Sequence, residues 1–124
     1  MILIFKLWLR DSGPIFVNGG AVDFNFNGWG NKQKHHLDSE VAKFITEFTH
    51  NKRLTTYMVM EGGGIEVDGK GTAIITESCS LNNNRNPGST KNDLEVELDR
   101  LLGIKKVIWL PGIKGIYSLS NRCI

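Results

Sequence analysis

At 124 residues the chain is long enough to bury a core but short for more than one ordinary domain. With 40% apolar and 23% charged residues its composition is globular rather than disordered, and a net charge of +2 without any Lys/Arg stripe gives no electrostatic basis for nucleic-acid or membrane binding. Two cysteines, Cys79 and Cys123, are too few for a disulfide framework and form no CxxC pair, which fits a reducing, cytoplasmic setting.

The opening MILIFKLWLRD has neither a basic leader nor a small-residue cleavage site, and its apolar run is far short of a membrane span. Ile2 to Leu9 reads as a strand ended by Asp11-Ser12-Gly13-Pro14. Ile15 to Val17 and Ala21 to Phe26 flank Asn18-Gly19-Gly20, a strong hairpin signal. In the second strand Val22, Phe24 and Phe26 alternate with Asp23 and Asn25, which predicts one dry face and one wet face. A polar connection from Asn27 to Leu37 leads to a helix over Asp38 to Thr49, where Val41, Phe44, Ile45 and Phe48 make one apolar stripe.

Thr55 to Met60 reads as a short buried strand, and Ile65 to Val67 pairs through Asp68-Gly69 with Thr72 to Thr76. The stretch from Leu81 to Gly88 is too rich in Asn, Pro and Gly for regular structure. Thr90 caps a second helix with Asp93 as its box partner; Leu94, Leu98, Leu101 and Leu102 are its buried side, and Gly103 stops it. Val107 to Leu110 reads as a central strand before Pro111-Gly112. The order is hairpin, helix, strand, then hairpin, helix, strand: an α/β pattern that nearly repeats.

EGGGIEVDGKGT, Glu61 to Thr72, comes within one residue of a phosphate-binding loop. Such a loop needs Ser or Thr after its lysine and a helix beyond, whereas Gly71 follows Lys70 and the β-branched Thr72-Ala73-Ile74-Ile75 follows that. The near-match therefore reads as a hairpin turn. Glu61 before three glycines is either a binding carboxylate beside a close backbone approach or an exposed residue before a flexible turn. Asp11 is likewise either a ligand at a strand end, with Trp8 and Arg10 on one face, or the cap of a turn. Two such carboxylates suit a planar cation, because guanidinium takes paired hydrogen bonds from carboxylates, and Trp8 or Trp29 could wall it. Adjacent His35 and His36 and the distant His50 make no metal site, and Cys79 reads as an inert buried thiol.

Taken together, WLRDSGP at 8–14, FNFNGWG at 24–30, EGGGIEVDGKGT at 61–72, LNNNRNP at 81–87 and LLGIKKVIWLPG at 101–112 resemble the agmatine deiminase family, grouped with the Porphyromonas-type peptidyl-arginine deiminases. The resemblance implies an α/β fold that is a fragment of a five-module propeller (pentein), about one complete αββαβ-like module plus part of another. It implies a hydrolase that attacks a guanidinium carbon with a cysteine thiolate and releases ammonia, with no cofactor and no metal. Agmatine, converted to N-carbamoylputrescine, is the expected substrate; free or peptidyl arginine is the alternative.

By motif, Asp11 would grip guanidinium nitrogens and Glu61 would contact the same group and assist proton chemistry. Trp8 would line the channel, Gly62 and Gly63 would let the backbone pass close to the ligand, and Arg85 would brace its loop. The family's histidine and nucleophilic cysteine have no counterpart here, since no histidine follows His50 and Cys123 lacks the family's glycine-rich context. The expectation is a partial catalytic domain over 1–115, a divergent tail over 116–124 that reflects a transcript or gene boundary, and a missing upstream piece. Such a chain would be catalytically incomplete and marginally stable, with association to the missing modules or a homo-oligomer as its partners. A noncatalytic binding or interaction module is the reading from a different class.

Overall fold

The computed structural model describes residues 8–112, which fall into two compact units divided at Gly63/Gly64. The expected strand over Ile2 to Leu9 lies outside the described residues up to position 7. From there the chain departs from that expectation: Leu9–Ser12 is a helical turn, α1, whose amides at Asp11 and Ser12 both donate to the Trp8 carbonyl. Asp11 therefore sits on a helical turn rather than at a strand end, and the strand alternation read for Trp8 and Arg10 does not apply.

In the first unit β1 (Ile15–Val17) and β2 (Gly20–Asp23) form the expected antiparallel hairpin, with Gly19 at φ 95° in the turn. β2 also pairs in parallel with β3 (Arg53–Thr55), giving the order β1-β2-β3. The predicted strand over Thr55 to Met60 is thus displaced toward the N-terminus. The cause is Asn25, which has φ 55° and leaves the ladder; its side-chain amide donates to the carbonyls of Thr56 and Met58, occupying acceptors a longer strand would use.

The predicted wet face of β2 is corrected as well. Asp23 is buried, because Arg53 on the neighbouring strand donates to its Oδ2 through Nε and Nη2 at 3.0 and 2.7 Å. The connecting helix begins as a 3-10 turn over Asp38–Glu40 and continues as α3 (Val41–Phe48), one element along the predicted span. Its buried side is Val41, Ala42 and Thr46, while Phe44 and Phe48 are exposed, so the predicted stripe is only partly core. Buried Thr46 is tolerated because its hydroxyl donates to the Ala42 carbonyl at 2.6 Å.

The second unit repeats the order. β4 (Ile65–Val67) and β5 (Thr72–Thr76) form an antiparallel hairpin, and β6 (Lys106–Leu110) runs parallel to β5. β6 ends the sheet β4-β5-β6 and alternates in exposure, so among the described residues it is an edge strand where a central one was predicted. The near-match to a phosphate loop is indeed a turn: Asp68 accepts from the amides of Lys70 at 2.7 Å and Thr72 at 2.9 Å, occupying donors an anion would need.

After a short turn, α4 (Glu77–Ser80), the Asn-rich loop has no regular structure, as predicted, and Asn82 knits it. The Asn82 side chain donates to the carbonyls of Ser78 and Cys79 and accepts from the amides of Asn84 and Arg85. α5 (Lys91–Leu102) opens with the predicted box, Thr90 and Asp93 each bonding the other's amide. It closes at left-handed Gly103, with Ile104 N–H reaching back to Leu98. Leu94, Leu98 and Leu101 are buried and Leu102 half-buried; each fully buried leucine contributes about 2 kcal/mol. Cys79, read as an inert buried thiol, is half-buried.

Candidate functional site

The two stretches that carry the candidate carboxylates come together in the first unit. Asp11, half-buried on α1, receives the amide of Gly63 on Oδ1 at 3.0 Å and the indole N–H of Trp29 on Oδ2 at 2.9 Å. One donor on each oxygen fixes the plane of the carboxylate. Each oxygen retains acceptor capacity for a further donor.

The glycines explain how the backbone gets this close. A β-carbon on Gly62 would collide with the Arg10 carbonyl oxygen, and one on Gly63 would collide with Asp11 Oδ1. At Gly62 the obstacle is backbone, so only glycine admits the approach; at Gly63 a side chain would have to displace the carboxylate. Glu61 directly precedes them and is buried, 5% exposed, which removes the reading of an exposed residue before a flexible turn. Behind Asp11 lies a crevice lined by Ser12, Asp23, Phe24, Phe26 and Met60 that has no room for a water molecule.

Trp29 reaches Asp11 from an unusual backbone. Gly28, Trp29, Gly30 and Asn31 form a four-residue turn, α2 (Gly28–Asn31), in which all four carry positive φ and Trp29 stands at φ 59°, ψ 47°. Gly and Asn tolerate that region, but a tryptophan there costs about 1–2 kcal/mol. Asn27 caps the turn, accepting the Gly30 amide at 2.8 Å, and Phe26 packs edge-on to the Trp29 ring at 5.0 Å. The Trp29 side chain is 6% exposed, so it is not the open aromatic wall the sequence suggested. Trp8, by contrast, is 65% exposed beside α1.

Sequence reasoning missed Trp29 as a partner of Asp11. The available signal was Gly28-Trp29-Gly30-Asn31, a tryptophan enclosed by the residues that accept left-handed backbone. His35 bonds through Nδ1 to the Gln33 carbonyl at 2.9 Å, and the described residues contain no group of three or more His, Cys, Asp or Glu able to hold a metal. No helix among them is long and apolar enough to cross a membrane.

Fold and site together define an α/β protein of repeated ββαβ units in which backbone and indole donors hold a carboxylate. Residues 2–119 match the Porphyromonas-type peptidyl-arginine deiminase family. Agmatine deiminase of Medicago truncatula is 42% identical over 129 residues, covering 90% of this chain and 34% of the relative, and that of Stutzerimonas stutzeri is 45% identical over 115 residues, covering 84% and 31%. Among solved structures, the agmatine deiminase of Enterococcus faecalis superposes with a TM-score of 0.79 at 38% identity, covering 85% of this chain and 32% of that one. The chain belongs to the Porphyromonas-type peptidyl-arginine deiminase family, and it spans about a third of the length of the relatives it matches.

Proposed function

We propose that the first unit is the guanidinium-gripping part of a hydrolytic deiminase that converts agmatine to N-carbamoylputrescine and ammonia. The observation that carries this reading is the Asp11 carboxylate, fixed by Gly63 N–H and Trp29 Nε1–H, with buried Glu61 two residues before Gly63 in the chain. A rigid carboxylate that keeps free acceptor sites is the partner a planar guanidinium requires. In this reading Asp11 takes two guanidinium N–H groups, Glu61 contacts the same group and assists proton transfer, and exposed Trp8 lines the approach. The glycines at 62 and 63 allow the backbone beneath. Residues 1–115 supply part of a catalytic domain whose whole is a five-module α/β propeller.

The chemistry needs more than these 124 residues contain. Attack on the guanidinium carbon calls for a thiolate and a proton shuttle, and no histidine follows His50. Association with the missing modules would complete the site. The chain alone should therefore bind agmatine without turning it over. The test is agmatine binding beside an ammonia assay on the pure chain: binding lost in Asp11→Asn with no ammonia released is the expected result. Ammonia release that Cys79→Ala abolishes would refute the incompleteness. Arginine, run in parallel, tests the alternative substrate, since its α-carboxylate needs a cationic contact that agmatine does not.

A further inference from the structure

We infer that Trp29 is a positioning residue for the guanidinium-binding carboxylate, acting through its indole N–H on Asp11 Oδ2; this rests on the function proposed above. The ring has two separable roles. Its body packs edge-on against Phe26 at 5.0 Å, which any aromatic side chain of similar shape could do. Its Nε1–H meets Asp11 at 2.9 Å, which phenylalanine could not do. The backbone argues that the second role matters, because the chain keeps a bulky residue at φ 59° between Gly28 and Gly30 instead of a third glycine.

The geometry also says what would change without the indole. Gly63 N–H restrains Oδ1 alone, and a single hydrogen bond lets the carboxylate pivot about that contact through its χ1 and χ2 torsions. A bidentate cation needs both oxygens held in one plane, so the second donor sets the orientation. Trp29 touches no ligand in this scheme; it aims the residue that does.

The experiment uses the 124-residue chain labelled with 5-fluorotryptophan at low micromolar concentration, with agmatine binding read by ligand-detected NMR. Trp29→Phe keeps the ring and removes the donor; it should weaken agmatine binding about tenfold while leaving the circular dichroism spectrum unchanged. In the wild-type chain the Trp29 fluorine resonance, assigned by elimination with Trp8→Phe and Trp109→Phe, should move at saturating agmatine. It should also move in Asp11→Ala without agmatine. Wild-type binding with Trp29→Phe affinity within twofold overturns this inference and leaves the proposed function standing. A Trp29 resonance unmoved at saturation overturns it as well, even should Trp29→Phe fail to fold. Absence of binding by the wild-type chain overturns both.

Discussion

Arg53 lies diagonally across the parallel β2–β3 ladder from Asp23 and places two of its nitrogens on a single carboxylate oxygen, while the Asn25 amide takes the other oxygen at 3.1 Å. Asp23 keeps 3% of its side chain in solvent and Arg53 keeps 39%. The pair explains how a charged residue occupies the middle strand of a three-stranded sheet. Asp23 also lines the narrow crevice that Asp11 lines.

Removing the arginine should leave a buried carboxylate with only an amide for company. Breaking a fully buried pair costs about 3–5 kcal/mol, and the part of Arg53 that remains in water lowers the expectation for Arg53→Met to about 2 kcal/mol. Lys105–Asp99, at 2.6 Å but with both side chains well exposed, is the control; Lys105→Met should cost less than about 0.5 kcal/mol. Urea midpoints of the two variants check the contrast, and equal costs would show that burial of Asp23 is not what makes its pair matter.

The parts of the fold that sequence reading located are those whose signals are local. Asn18-Gly19-Gly20 and Asp68-Gly69 each force a reversal, and the Thr90/Asp93 box and Gly103 mark the ends of α5 within a few residues. The parts it missed depend on distant partners. β3 ends where Asn25, some thirty residues earlier, captures the Thr56 and Met58 carbonyls, and Asp23 is dry only because Arg53 arrives beside it. Asp11 and Glu61 were visible as motif carboxylates, but no periodicity shows that Trp29 turns its N–H onto one of them. For that, the left-handed turn had to be seen.

Three adjacent glycines should respond differently to the same added methyl group. In Gly62→Ala the new carbon meets backbone, the Arg10 carbonyl, and destabilisation should follow. In Gly63→Ala it meets the Asp11 carboxylate, so agmatine binding should fall more than fivefold, about 1 kcal/mol, with a smaller effect on folding. Nothing stands within 4 Å at Gly64, and its φ is not positive, so Gly64→Ala should be neutral or stabilising by about 0.5 kcal/mol. Denaturation and ligand titration of the three variants give the pattern; a binding loss in Gly64→Ala equal to that in Gly63→Ala would remove Asp11 displacement as the cause.

Acid should loosen the second unit through two aspartates, Asp68 in the β4–β5 turn and Asp93 in the capping box of α5. Asp68 is held below its usual value of 3.8 first by the Thr72 amide and then by that of Lys70, and Asp93 is held below 3.8 by the hydroxyl and then the amide of Thr90. A depressed folded value means the native state favours the ionised form. The stabilisation is complete above pH 3.8 and is lost as pH falls from there through the folded values. The stability advantage of the wild-type chain over Asp68→Asn should therefore be constant near neutrality and shrink below pH 3.8. Urea midpoints across pH 2.5–6, a range set about the ordinary aspartate value, make the comparison. An advantage that persisted undiminished at the acid end would separate Asp68 from any ionic role in the turn.

On α3 the rings of Phe44 and Phe48 stack with centroids 6.0 Å apart on the exposed side of the helix, and Phe48 is 74% exposed. A residue that buries so little contributes little to folding, but two neighbouring aromatic rings in water favour self-association. Phe48→Lys should therefore change folding stability by less than about 0.5 kcal/mol, helped by a cation at the helix C-terminus. It should also raise the protein concentration at which light scattering begins. The same series tests the marginal stability expected of a chain spanning a third of its relatives, because dilution should abolish scattering while the thermal midpoint stays low. A high thermal midpoint for the dilute monomer would count against that expectation, and an unchanged scattering threshold in Phe48→Lys would place the sticky surface elsewhere, with Ile74, Ile108 and Leu110 of the second unit, all exposed, next to be replaced.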